Sequence, residues 1–283
     1  MIHSIQYRSD NGMYICTSRN GPYMLSGTVD TKVKSKANTV KPPGFDGAST
    51  YDPTLEQMEI VFRIAVNIGG NRNIPARTAR DEMKNILSFC FSPNQFGSLI
   101  YNNSVGEHYA RVRPTCKPEI VEQNESYVVY EIEMESDYPY WQGEKKTEFV
   151  GHLTKMLRYP VKLQSRYGIY QQGCVVYNPS PIKIYPVFEL QSAVTQFKIT
   201  NETNGEMFEI NHAVASGETM RIDTYRNTVN LISQSGVITD VSNYVDGDFV
   251  TLASGKNRII SQNEISGDTP ACKIVWRVPR AEA

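Results

Sequence analysis

A mostly β protein with a single helix is the fold class that the sequence predicts, and three observations predict it. Apolar side chains alternate with polar ones in segment after segment, the period of a half-buried strand. Only residues 75–90 space their apolar side chains at helical intervals. Tyrosine outnumbers the other aromatics, with 17 Tyr against 10 Phe and 2 Trp. It favours strands and contact surfaces because its ring is apolar while its hydroxyl tolerates water.

The chain has 283 residues, room for one large or two ordinary domains. Its 40% apolar and 21% charged residues are ordinary globular values, which excludes a disordered chain or a fibre. With 29 basic and 30 acidic side chains the net charge is −1, so the excess of cations that holds nucleic acid by its phosphates is absent. Five scattered cysteines (Cys16, Cys90, Cys116, Cys174 and Cys272) contain no C-x-x-C pair, which predicts free thiols rather than a zinc or redox site. Met1 to Gln6 has no signal-peptide pattern, and no apolar run approaches the ~20 residues of a membrane helix. The protein is expected in the cytosol when made, with the sequons at Asn102, Asn124 and Asn201 occurring by chance.

In chain order, the first irregular stretch is Asp30 to Gly47, which carries Lys32, Lys34, Lys36 and Lys41 with no acid between Asp30 and Asp46. It is expected as a long loop or protruding hairpin, since structureless connections beyond ~12–15 residues are uncommon and usually functional or disordered. Ile60, Phe62, Ile64, Val66 and Ile68 then alternate as one face of a strand. The helix follows, with Ala79, Met83, Ile86, Leu87 and Cys90 on one side, Pro75 at its first turn, Asp81 and Glu82 toward its positive end, and Pro93 beyond it. Val128, Tyr130, Ile132 and Met134 share a strand face, opposite Glu131 and Glu133 on a wet one.

Ser136 to Lys146, with its Pro, Gly and Lys pair, predicts a domain boundary. The expected domains are residues 1–137 and 138–283, the second including a linker over 138–175 in which Trp141, beside Tyr138 and Tyr140, packs the domains together. After it come roughly eight short strands divided by Gly, Asn and Asp turns, the pattern of a β-sandwich or jelly roll. Among them Phe197 and Ile199 face Phe208 and Ile210 across a hairpin turn, Val250 and Leu252 form a further strand, and Trp276 alternates with Ile274 and Val278 toward the core.

Catalytic signatures are absent. There is no G-x-S-x-G elbow, no phosphate-cradling glycine loop and no H-x-x-x-H pair among His3, His108, His152 and His212. No metal or cofactor is expected. Asp246-Gly247-Asp248 lacks the further carboxylates of a calcium site and is expected as a tight turn. Glu131 and Glu133 could in principle flank a sugar bond, but their spacing is that of any solvated strand.

Taken in order, these features resemble the distal tail protein family of siphophages. The likeness rests on Asn20-Gly21-Pro22-Tyr23 leading to Gly27, on Pro43-Gly44-Phe45-Asp46-Gly47 before Met58 to Phe62, and on the arginine-bearing helix Arg77 to Leu87. It continues through Asp137-Tyr138-Pro139-Tyr140-Trp141, Asn178-Pro179, Tyr185 to Leu190, Gly217 to Asp223, Asp246 to Leu252 and Gly255 to Ile259. Phe149 to Gly173 departs from the family pattern, as an insertion or extended linker would. The resemblance implies a β-sandwich with one helix and a protruding hairpin at the N-terminus, and a galectin-like sandwich at the C-terminus. It further implies a non-enzymatic homohexameric ring at the virion tail tip, assembled in the host cytoplasm. Implied partners are the tail tube protein, the tail-associated hub protein and receptor-binding or baseplate proteins, with DNA passing through the channel unbound and no membrane contact. Lys32, Lys34, Lys36 and Lys41 become the candidate contacting arm. The alternatives are a lectin-like module for cell-wall glycans and a sandwich-fold glycosidase.

Overall fold

Nearly every alternating segment is a strand in the computed structural model, which describes residues 3–282 apart from 19–20, 41–48, 68–75, 125, 151, 156–167, 172, 192 and 264–271. The chain divides into two compact units, Met1–Gly143 with Arg280–Ala283, and Glu144–Pro279. Sheet pairing is antiparallel throughout both.

The first unit contains β1 (Ser4–Ser9), β2 (Tyr14–Cys16), β3 (Tyr23–Val40), β4 (Ser49–Asn67), α1 (Ala76–Cys90), β5 (Gly97–Asn102), β6 (Glu107–Pro114), β7 (Glu119–Gln123), β8 (Tyr127–Ser136) and the start of β9 (Trp141–Val150). One sheet runs β9-β6-β5-β1-β2 and the other β3-β4-β8-β7, with the end of β6 also pairing to β8. Their inner faces meet in one core. Ile60, Phe62, Ile64 and Val66 of β4 and Val128, Tyr130, Ile132 and Met134 of β8 are buried against Ile5, Tyr7, Leu99, Tyr101, Ala110 and Val112. Both strand faces are therefore those that alternation predicts, except that Ile68 lies outside the described residues. Close packing reaches the backbone at Gly97, where an added Cβ would stand 2.5 Å from the Tyr7 ring.

The helix sits nearly where expected, but its details differ. It begins at Ala76, so Asp81 and Glu82 fall in the second turn, and no acid occupies the first. The dipole fades within a turn, so these carboxylates gain little from it. Leu87 and Cys90 face the core with Met83 beside them, while Ile86 is exposed on the outer side together with Phe89. Ala79 lies among side chains outside the described set. Trp141 is a second correction. Expected in a linker that packs the two domains together, it is fully buried in the core of the first unit, its ring 6.3 Å from Tyr101 and 6.2 Å from His108.

The second unit contains the rest of β9, then β10 (His152–Lys155), β11 (Gly168–Gln171), β12 (Gly173–Asn178), β13 (Val187–Leu190), β14 (Phe197–Asn201), β15 (Met207–Ile210), β16 (Thr219–Asp223), β17 (Thr228–Ile232), β18 (Ile238–Asp240), β19 (Val245–Gly247), β20 (Gly255–Asn263) and β21 (Cys272–Arg280). One sheet runs β18-β17-β16-β13-β21 with β9 beside β21, and the other runs β12-β20-β14-β15-β19. Phe188, Leu190, Ile222 and Ile274 of the first bury against Phe197, Ile199, Phe208, Ile210 and Ile259 of the second. The hairpin registers Phe197 opposite Ile210 and Ile199 opposite Phe208, and Trp276 does face the core. In the segment expected as insertion or linker, β10 and β11 form a two-stranded ladder, and residues 156–167 lie outside the described ones.

Two expectations fail in this unit. Val250 and Leu252 are buried but belong to a loop, tied only by an isolated bridge between Leu252 and Ile184. Buried asparagines hold that loop in place of a ladder. Asn201 Nδ2 donates to Thr251 O (2.8 Å) and Asn257 Oδ1 (3.0 Å), and Asn178 Nδ2 donates to Leu252 O (3.1 Å). Asp246-Gly247-Asp248 is not a free turn but the end of β19, with Asp246 paired opposite Glu209. Gly247 has φ +94°, and a Cβ there would stand 2.4 Å from Met207 O, so only glycine fits.

All five cysteines are free thiols. Burial pushes Cys90 and Cys174 up to about 12 and raises Cys272 further, so these three stay protonated and unreactive near neutrality.

His108 is buried beside Trp141, with its Nε2 3.1 Å from Asn103 Oδ1. Burial, and then the charge of Arg280, hold its pKa below the ordinary histidine range. The fold therefore prefers neutral His108. Its stabilising contribution is complete above the unfolded value of about 6.5 and is lost as pH falls through the lower folded value. The melting temperature is expected to drop between pH 7 and pH 5 by less in His108→Gln, which cannot take up a proton, than in the wild type. Identical slopes in paired thermal melts would rule this out.

Candidate assembly interface

The candidate arm is the distal half of the β3–β4 hairpin. The two strands pair from Tyr23 opposite Val66 to Val40 opposite Ser49, with register shifts at Ser26/Asp30, Val33/Ser35 and Lys36/Asn38. The stretch expected as a loop or hairpin is thus regular strand as far as Val40, and residues 41–48, including Lys41, lie outside the described ones. Alternation explains the exposure of the lysines. Val33 turns partly inward, while Lys32, Lys34 and Lys36 stand in solvent.

Lys34 does not project freely. Its Nζ donates to Glu59 Oε1 at 2.6 Å across the hairpin. That hydrogen bond and the opposite charge raise the lysine's pKa and lower the glutamate's. Both groups are solvent-exposed, and pairs of this kind contribute little to folding. Lys34, Glu56, Gln57, Glu59 and Glu135 line a shallow open hollow at the hairpin's base.

The solvent face of the four-stranded sheet continues this pattern. Glu59 stands opposite Glu135, Val61 opposite Glu133 and Arg63 opposite Glu131. Arg63 Nε binds Glu131 at 2.7 Å, and Arg113 pairs with Glu135. Over β4 and β8 this face is acidic on balance, with its arginines already engaged by carboxylates, and the lysines of β3 join it at the edge, Lys32 standing opposite Glu59.

The two ends of that sheet differ in charge. At one end β3 presents Lys32, Lys34 and Lys36, and at the other β7 presents Glu119 and Glu122 beside exposed Ile120 and Val121. β7 is exposed along its whole length and pairs only with β8. Sequence reading singled out the β3 lysines but not β7. Its only signal is a short Glu-Ile-Val-Glu run, which does not by itself mark a sheet end.

Among the described side chains the histidines do not gather into a site. His3 Nδ1 lies 2.7 Å from the Tyr101 hydroxyl and the His108 ring 6.1 Å from that tyrosine's, whereas His212 packs on Tyr244 in the second unit. Among the described residues no His, Cys, Asp and Glu side chains group in a way that could hold a metal ion. No described helix is long and apolar enough to cross a membrane.

Residues 180–278 match the family model of the siphovirus-type tail component, C-terminal domain. The tail-component match takes in β13 to β20 and most of β21. Both units share their fold with solved phage proteins. The crystal structure of the phage SPP1 Dit protein, described as a hub of the adsorption apparatus in phages infecting Gram-positive hosts, is 10% identical with a TM-score of 0.60, over 98% of this chain and 99% of that one. A chain of the phage P2 baseplate, in its activated conformation with calcium, is 9% identical with a TM-score of 0.56 over all of both chains. The same baseplate with strontium gives a TM-score of 0.55 at 10% identity. At these identities the likeness is one of fold. A comparison with curated proteins gives no match.

Proposed function

We propose that this chain is a non-enzymatic structural subunit of a siphophage tail tip, assembled head to tail with copies of itself into a six-membered ring. The ring would join the tail tube to the tail-associated hub and the receptor-binding or baseplate proteins. The tail-component match and the whole-chain fold likeness support the tail role. The observation that carries the ring is the four-stranded sheet with a lysine-bearing edge at β3 and a glutamate-bearing edge at β7. Unlike edges are complementary between copies but not self-complementary, so each copy can accept the next, and such heterologous contacts make a ring when the rotation from copy to copy closes. Six as the number of copies comes from the family resemblance. The acidic balance of the sheet's solvent face suits a surface past which DNA moves without phosphate binding.

Light scattering on the purified chain tests the reading. The wild type is expected near six times its monomer mass, and Lys32→Glu with Lys36→Glu near one. Mixing that variant with Glu119→Lys/Glu122→Lys protein should restore larger assemblies. A monomeric wild type at high concentration, or a ring indifferent to both charge reversals, would refute the edge-to-edge ring.

A further inference from the structure

Among the described residues, strand β12 ends one of the sandwich sheets without the protection that the other ends of those sheets carry. An edge strand offers a row of unpaired amides and carbonyls to any passing strand, and proteins blunt such edges with charge, proline or brevity. Here β3 carries lysines, β7 two glutamates, β2 is three residues long, and β18 and β19 are three residues each with Asp240 and Asp246. β12, by contrast, spans the six residues Gly173–Asn178 with neither a charge nor a proline, and among the described residues it pairs only with β20. Its inward residues Cys174 and Val176 are in the core, while Val175 and Tyr177 point outward at 61% and 60% exposure. Two large apolar side chains held in solvent on a bare edge form a surface that gains by being covered.

The neighbouring strand indicates what covers it. In the β12–β20 register Val175 stands opposite Arg258 and Tyr177 opposite Lys256, both exposed. Glu202 is the one carboxylate paired there, 3.2 Å from Arg258 Nε. The outward face at this edge is thus apolar on the outermost strand and cationic on the next. A strand added to β12 would place its outward side chains beside Val175 and Tyr177 and within the field of Lys256 and Arg258.

We propose that β12 is a docking edge for an extended segment of another protein, added as an antiparallel or parallel strand, in which apolar side chains alternate with carboxylates. Backbone pairing supplies the affinity, and the Val175, Tyr177, Lys256 and Arg258 face selects the sequence. The inference concerns the second unit and is independent of the ring contact, which uses β3 and β7.

The test uses the full chain and a dye-labelled, end-capped octapeptide of alternating valine and glutamate, with fluorescence anisotropy as the readout. Two control probes are the valine–lysine octapeptide and a valine–glutamate octapeptide N-methylated at every amide, which cannot donate along either edge. The expected result is saturable binding of the first probe, at least tenfold weaker binding of the lysine probe, and none of the methylated one. Val175→Glu/Tyr177→Glu, which changes only exposed side chains and repels the probe's carboxylates, should abolish binding while leaving the thermal melt unchanged. Hydrogen exchange at residues 173–178 should slow when the first probe is bound. No binding of any probe, binding indifferent to charge or methylation, or binding that survives the double substitution overturns the proposal. So does self-association that the double substitution removes, since a second copy would then be the occupant.

Discussion

Asn257→Ala is expected to lower the melting temperature of the second unit by roughly 10 °C or more. The side chain is fully buried and uses both ends of its amide. Its Oδ1 accepts from Asn201 Nδ2 (3.0 Å) and Ala253 N (2.9 Å), and its Nδ2 donates to Ala253 O (2.7 Å) and Gly255 O (3.2 Å). Alanine strips a partner from the buried Asn201 amide and from the half-buried backbone groups of Ala253 and Gly255. Each buried group stripped of its partner costs about 1–3 kcal/mol, so a total of about 3–4 kcal/mol is reasonable. At about 2–4 °C per kcal/mol for a domain of this size the shift is large. Asn257→Asp keeps the acceptor but loses the donor, and should fall between the alanine variant and the wild type. Circular dichroism melts of the three proteins decide it. An alanine variant within about 2 °C of the wild type would mean that the loop over residues 250–255 is held without Asn257.

Trp141→Ala should destabilise the first unit by about 3–5 kcal/mol, the cost of emptying a large aromatic site in a packed core. The indole is the largest fully buried side chain and lies among Tyr101 and His108. The location of the damage matters as much as its size. Amides of β1, β5 and β6 should exchange faster in the variant, while those of β13, β14 and β16 keep wild-type rates. Equal acceleration in both sets would show that the two units unfold as one, and unchanged exchange in the first set would remove Trp141 from its core.

Much of this architecture is legible locally. Ile60 to Val66 and Val128 to Met134 alternate with period two because one face of each strand is buried, and both faces are buried as the pattern requires. The hairpin over Phe197 to Ile210 is equally readable, since its apolar pairs and its Asn-Gly turn agree. Lys32, Lys34 and Lys36 could be recognised as an exposed set because no apolar stripe competes with them.

Other features depend on partners distant in sequence. Trp141 follows Tyr-Pro-Tyr and is locally indistinguishable from a linker aromatic, but Tyr101 and His108 arrive beside it from β5 and β6. Val250 and Leu252 alternate like a strand, yet the backbone around them satisfies its polar groups through Asn178, Asn201 and Asn257 rather than through a ladder. Ile86 keeps helical spacing but misses the core because the helix turns Leu87 and Cys90 inward instead. The sequence by itself determined which side chains alternate, where turns interrupt them and which charges lie near each other along the chain. Only the tertiary structure decided which strands end a sheet. β7 and β12 are edges because of strand order, and strand order is set by long-range pairing and packing rather than by the residues of any one strand.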